Sequence, residues 1–122
     1  MSIMTHNEIV KTCAEVDNLL CCVFSRRHDE SYTAFLKFKY LSHNGKVNSS
    51  QRRIQFVNNS QIRFITIADG IDECRCLSGL QIGLAVMNGV EPSEYLKARM
   101  RVWDTIQEKL GFPKIVRLCP EP

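Results

Sequence analysis

The sequence predicts a small single-domain α/β fold, a mixed sheet with a β-hairpin and flanking helices. Three observations carry this. Leu19-Leu20-Cys21-Cys22-Val23-Phe24 is an unbroken apolar run, the mark of a strand buried on both faces, as in parallel sheets covered on both sides. Residues 52–67 alternate apolar and polar about a short polar turn, which reads as a hairpin. Helical patterns flank these strands, so the order helix, strand, helix, hairpin, strand, helix, strand is an α/β succession.

Thr5-His6-Asn7-Glu8 has the spacing of a capping box and starts the first helix, whose face Ile9, Val10, Cys13, Ala14 and Val16 keep apolar up to Asp17-Asn18. After the apolar strand, Ser25 to Glu30 reads as a polar connection. Ser31 to Leu41 admits two readings. Tyr32, Phe35, Leu36, Lys39 and Tyr40 fit a helix capped by Asp29 or Ser31, whereas Leu36, Phe38 and Tyr40 alternating with Lys37 and Lys39 fit a strand; the helix is preferred. His43-Asn44-Gly45-Lys46 is a turn signal under either reading.

In the hairpin, Arg52 to Val57 and Gln61 to Ile67 are joined by Asn58-Asn59-Ser60. Ile54, Phe56, Ile62 and Phe64 share one face, and Arg53, Gln55 and Arg63 point the other way. Asp69-Gly70 closes the second strand, and Asp72 to Leu77 reads as one helical turn ending near Gly79. Gln81 to Met87 is a second mostly apolar strand, ended by Asn88-Gly89. Pro92-Ser93-Glu94 opens a helix with Pro in its first turn, Tyr95, Leu96, Val102, Trp103, Ile106 and Leu110 on its apolar face, and Gly111 followed by Phe112-Pro113 as its stop. Lys114 to Cys119 reads as a last strand, so residues 1–119 form the domain and 120–122 a tail.

Composition narrows the function classes. A chain of 122 residues with 44% hydrophobic and 24% charged content has enough apolar material for one core and does not look disordered, and its apolar stretches are too short to cross a bilayer. The six cysteines lack the C-x2-C spacing of a zinc grip, and the N-terminus lacks a basic then apolar leader pattern. The expectation is a reducing intracellular setting with free thiols, Cys21 and Cys22 among them as core residues.

Catalytic patterns are sparse. Neither Gly-x-x-x-x-Gly-Lys-Ser/Thr nor Gly-x-Gly-x-x-Gly occurs. A nucleophilic pair drawn from Cys21 or Cys22 with His28 or His43 would need an exposed thiol, which an apolar run does not provide. Asp69, Asp72 and Glu73 read more simply as a solvated acidic loop than as a metal site. No metal site and no cofactor are expected.

Charge is unevenly spread. Between Arg26 and Arg63 there are eight basic residues against Asp29 and Glu30, a local +6, and the remaining chain carries −3, so that the net charge is only +3. Arg53 and Arg63 on the outward hairpin face, with Lys37 and Lys39 near in sequence, are candidates for phosphate or partner contact, as are Arg26, Arg27 and Arg52; Gln55 and Gln61 add hydrogen-bonding capacity.

Asn58-Asn59-Ser60-Gln61-Ile62-Arg63-Phe64, Leu77-Ser78-Gly79-Leu80 and the strand Leu84-Ala85-Val86-Met87 together resemble the middle of RecA-like motor ATPases, viral large terminases in particular. In that family a hairpin and an Arg-Gly segment precede the Walker B strand, and Leu19 to Ser25 would match the strand after the Walker A helix. The resemblance spans about two thirds of the chain and implies that the strands at Leu19 and Leu84 lie adjacent and parallel. It also exposes departures. Asn88-Gly89 stands where Walker B ends in Asp-Glu, Ser78 where the arginine would be, and no Walker A segment occurs. At 122 residues the chain is expected to be an inactive, degenerate fragment of that fold.

The function expected is that of a non-catalytic binding protein of viral or mobile-element origin, in the cytoplasm or nucleus of a host cell. It would act through a protein partner, with self-association possible and no membrane contact. The alternative is a small nucleic-acid-binding protein using the basic 26–63 segment.

Overall fold

The structure, a computed structural model, describes residues 2–43, 45–67, 81–100 and 111–120. The helical turn expected at Asp72 to Leu77, the carboxylates Asp69, Asp72 and Glu73, and Val102, Trp103, Ile106 and Leu110 of the last helix lie outside them. The described elements are β1 (Ser2–Met4), α1 (His6–Glu15), β2 (Leu20–Ser25), α2 (His28–Leu41), β3 (Lys46–Asn48), β4 (Arg53–Gln55), β5 (Gln61–Thr66), β6 (Leu84–Asn88), α3 (Glu94–Arg99) and β7 (Lys114–Leu118).

All seven strands join one sheet in the order β1-β7-β6-β2-β5-β4-β3. The first five in that order are parallel, and β4 and β3 continue the sheet antiparallel, so it is mixed. The apolar run is central: Cys21 pairs with Leu84 of β6 and with Ile62 of β5, both in parallel register. The adjacency that the terminase resemblance requires is therefore present.

Alternation along β2 divides the core. Cys21 and Val23 face one side with Ile9 and Cys13 of α1, Phe35 and Phe38 of α2, and Ile54 and Ile62 of the hairpin. Cys22 and Phe24 face the other side with Ala85, Met87, Leu96 and Met100. Burial on both faces explains why the run carries no polar residue before Ser25. It also pushes the Cys21 thiol well above its ordinary pKa, with Cys13 adding to the effect, so the thiol is held neutral inside the core.

Local chemistry sets the helix ends. The Thr5 hydroxyl accepts from the Glu8 amide at 3.1 Å, and the Glu8 carboxylate accepts from the Thr5 amide at 3.1 Å, which completes the capping box. Residues 31–41 are helical, but α2 begins at His28, so the Ser25–Glu30 connection shortens to Arg26 and Arg27. Neither Asp29 nor Ser31 is its cap. Arg27 takes that position without a side-chain cap, and Asp29 and Glu30 act instead as first-turn acids against the helix dipole. Pro92 is likewise displaced: the Ser93 hydroxyl caps α3 by accepting from the Leu96 amide at 3.1 Å, which leaves Pro92 ahead of the helix. The turn after α2 requires Gly45 because a Cβ there would stand 2.7 Å from Ile54 Cγ2.

The hairpin turn does more than reverse the chain. Asn58 Nδ2 reaches the carbonyls of Cys13, Ala14 and Val16 at 2.9, 3.1 and 3.1 Å, and Asn58 Oδ1 accepts from the Ser60 amide at 3.1 Å. The buried Ser60 hydroxyl donates to the Val16 carbonyl and accepts from the Leu19 amide at 2.9 Å. Carbonyls that α1 leaves unsatisfied at its C-terminus are thus met by a turn more than forty residues away.

Candidate functional site

The seven basic residues named from the sequence fall into separate places. Arg27, between β2 and α2, holds Asp29 through two contacts of 3.1 and 2.7 Å and approaches Glu30 at 3.3 Å. Its hydrogen bond and charge keep the Asp29 carboxyl below the usual carboxylate range. Arg26 is exposed beside it. Arg52, in the left-handed region at φ 48°, lays its guanidinium over the Tyr32 ring of α2 at 5.3 Å. Lys37 and Lys39 are on α2, which packs on the sheet face of Ile54 and Ile62.

Arg53 and Arg63 are brought together. They stand directly opposite each other in the β4–β5 register, and strand alternation puts them on the sheet face away from α1 and α2. The sheet therefore lies between this pair and Lys37 and Lys39. Strand β3 extends the same face: Asn48, Arg53 and Arg63 form one cross-strand row, and Lys46, Gln55 and Gln61 form the next. Arg63 Nε donates to Gln61 Oε1 at 3.0 Å. A shallow depression of about 460 Å³ opens between Lys46, Asn48, Ser50, Arg53 and Gln55. No carboxylate pairs with Lys46, Arg53 or Arg63 among the described residues. Like charges directly opposite on adjacent strands repel, so an anion bound there would gain from an existing unfavourable contact. Lys46 and Asn48 enter this group only through the pairing of β3, and a three-residue strand has too short a pattern to be read from sequence.

A second, larger cavity of about 600 Å³ lies at the C-terminal ends of β6 and β7, where parallel α/β sheets commonly hold ligands. His6 from the first turn of α1, Asn88 from the end of β6, and Asp29, Glu30, Lys37 and Tyr40 from α2 line it, with Leu118 and Pro120. The His6 ring is buried against Phe38, centroids 4.9 Å apart. Asn88 Nδ2 donates to the buried Ser25 hydroxyl at 2.9 Å, tying the ends of β6 and β2. The link from β1 to α1 is the single residue Thr5. The first-turn Glu8 amide, of a kind that often meets a phosphate, is already taken by Thr5, and the Glu8 carboxylate lies at that helix start. Among the described residues no group of three or more His, Cys, Asp or Glu is placed to hold a metal ion, and no helix is long and apolar enough to cross a membrane.

No family model matches this chain, and no curated protein matches it significantly. Among solved structures, the chain is similar to the large terminase of bacteriophage HK97, with a TM-score of 0.59 and 13% sequence identity over 97% of this chain. It spans 28% of the length of that terminase. At this identity the likeness concerns architecture, and the architecture of this chain is a terminase-like α/β fold.

Proposed function

We propose that this chain is a degenerate terminase-like domain that works by binding, without phosphoryl transfer, in a viral or mobile-element setting inside a host cell. The observation that carries this reading is the closed start of α1. A one-residue strand-to-helix link, in which the Thr5 and Glu8 amides are bonded to each other's side chains, leaves no loop at that point to wrap a phosphate. The cavity beside it does not fit a magnesium nucleotide. Asn88 offers a neutral amide already bonded to Ser25, in place of an anionic partner for the metal. A protein partner is supported by Tyr32, Leu36 and Tyr40, apolar side chains of α2 that remain exposed. The test is thermal unfolding and phosphate release with magnesium and ATP. No shift and no release are expected; release that Asn88→Ala abolishes would overturn the reading.

A second reading, nucleic-acid binding, is favoured by the two cross-strand rows that contain Lys46, Arg53 and Arg63. Their spacing on a sheet face suits phosphate contact without base readout. Binding to a random-sequence duplex is then expected to weaken steeply with salt, and Arg53→Gln with Arg63→Gln should lower the salt slope by about 2. A fluorescence-anisotropy titration with no binding at low salt would rule it out.

A further inference from the structure

The open hairpin face carries cations that the fold itself does not use. Arg53 and Arg63 are half-buried and directly opposite each other on β4 and β5, and no carboxylate pairs with either among the described residues. A half-buried charge loses hydration without compensation, and a like charge across the ladder adds repulsion, so the pair costs stability until an anion joins it. Lys46 completes the group. It lies diagonal to Arg53 across the β3–β4 ladder, a separation of about 7–8 Å that two long side chains can bridge.

The surroundings of these cations select the anion. The depression of about 460 Å³ is bounded by β3, β4 and the turn of residues 49–52. That turn is closed on itself: Asn48 Oδ1 accepts from Ser50 Oγ at 2.9 Å and from the Gln51 amide at 3.1 Å, and Asn48 Nδ2 donates to Gln51 Oε1 at 3.2 Å. Asn48 and Ser50 therefore serve as wall. The Ser49 hydroxyl and the Gln55 side-chain amide have no hydrogen-bond partner among the described residues and remain available as donors. Donors thus come from two strands and a turn, an arrangement that suits the several oxygens of a tetrahedral phosphate better than the planar pair of a carboxylate. No aromatic side chain lines the depression, so it has no platform on which a base could stack.

We propose that this depression is a phosphate-binding site, in which Lys46 and Arg53 neutralise the phosphate of an ester, Arg63 adds charge beside them, and Ser49 and Gln55 donate to its oxygens. The site reads the phosphate and not the base. The proposal deepens the nucleic-acid reading and, for the source of the phosphate, rests on it: the ester is a backbone phosphate of a nucleic-acid strand.

Nuclear magnetic resonance of the isotope-labelled chain reads the site directly. Inorganic phosphate is expected to shift the amides of residues 46–55 saturably, and a short single-stranded oligonucleotide of mixed sequence to shift the same amides and displace it. Arg53→Gln should weaken phosphate binding at least ~10-fold, the usual loss of a charged hydrogen bond, whereas Lys39→Gln, across the sheet, should leave it unchanged. Thermal unfolding gives an independent reading, since phosphate should raise the midpoint of the wild type and not that of Arg53→Gln. Phosphate that leaves residues 46–55 unshifted, or that binds Arg53→Gln as tightly as the wild type, overturns the site. Duplex binding in the anisotropy titration without a phosphate response would remove the site and leave the nucleic-acid reading. Phosphate bound at the site without any oligonucleotide or duplex binding would remove that reading and overturn the assigned source.

Discussion

Phe38→Ala is expected to cost about 3–5 kcal/mol of folding stability, the usual loss when a buried aromatic ring is truncated. Phe38 is fully buried, and its ring contacts His6 at a centroid distance of 4.9 Å and Phe64 at 5.6 Å. Phe35 meets Phe64 edge-on at 5.3 Å, so three rings fasten α2 to β5. Truncation removes transfer energy and leaves a cavity that rigid neighbours on α1, α2 and β5 cannot fill. Against the stability of an ordinary domain, about 5–15 kcal/mol, such a loss brings the protein near its unfolding threshold. Urea denaturation measures it. Phe38→Leu should recover much of the stability by keeping apolar volume. If Phe38→Ala unfolds at the wild-type midpoint, the three-ring contact does not hold α2 on the sheet.

Asn58→Ala is expected to cost about 2 kcal/mol, because one side chain serves several buried or half-buried backbone groups at once. Its amide nitrogen reaches the carbonyls of Cys13, Ala14 and Val16, and its oxygen accepts from the Ser60 amide. Asn58→Asp is the sharper variant. It keeps the size and the acceptor for Ser60 but sets a carboxylate against three carbonyl oxygens, so it should be at least as damaging as alanine. The same denaturation experiment decides it: an Asn58→Asp protein as stable as the wild type would mean that the turn does not hold the end of α1.

The stretches most legible in the sequence are those whose local pattern and tertiary fate agree. The capping box at Thr5 and Glu8 is satisfied within one turn and depends on nothing distant. The hairpin register follows from alternation, since any slip of one residue would turn Ile54 and Ile62 to the open face. Strands β1 and β3 carry no pattern legible in the sequence. Each has three residues, and each is a strand only because β7 or β4 supplies its hydrogen bonds. The ambiguity at 31–41 had a related cause: its outward face carries Tyr32, Leu36 and Tyr40, so apolar residues occur on both sides of the helix and blur its period.

The candidate surfaces divide in the same way. Arg53 and Arg63 could be placed on one face from alternation alone, and the structure sets them side by side. Lys37 and Lys39 are near in sequence to that pair but stand across the sheet from it, because α2 folds back over the opposite face. The cavity beside Asn88 joins residues from His6 to Pro120, and no local pattern anticipates that gathering.

By itself the sequence determined the α/β class, the buried strand, the hairpin and the departures from a nucleotide-binding pattern, since these rest on periodicity and residue chemistry within short windows. Tertiary structure alone decided the order of the seven strands, the grip of the hairpin turn on α1 and the grouping of Lys46 with Arg53 and Arg63. The physical reason is that backbone pairing and the filling of open carbonyls are settled between segments far apart in the chain, where burial of the common core sets which partners meet.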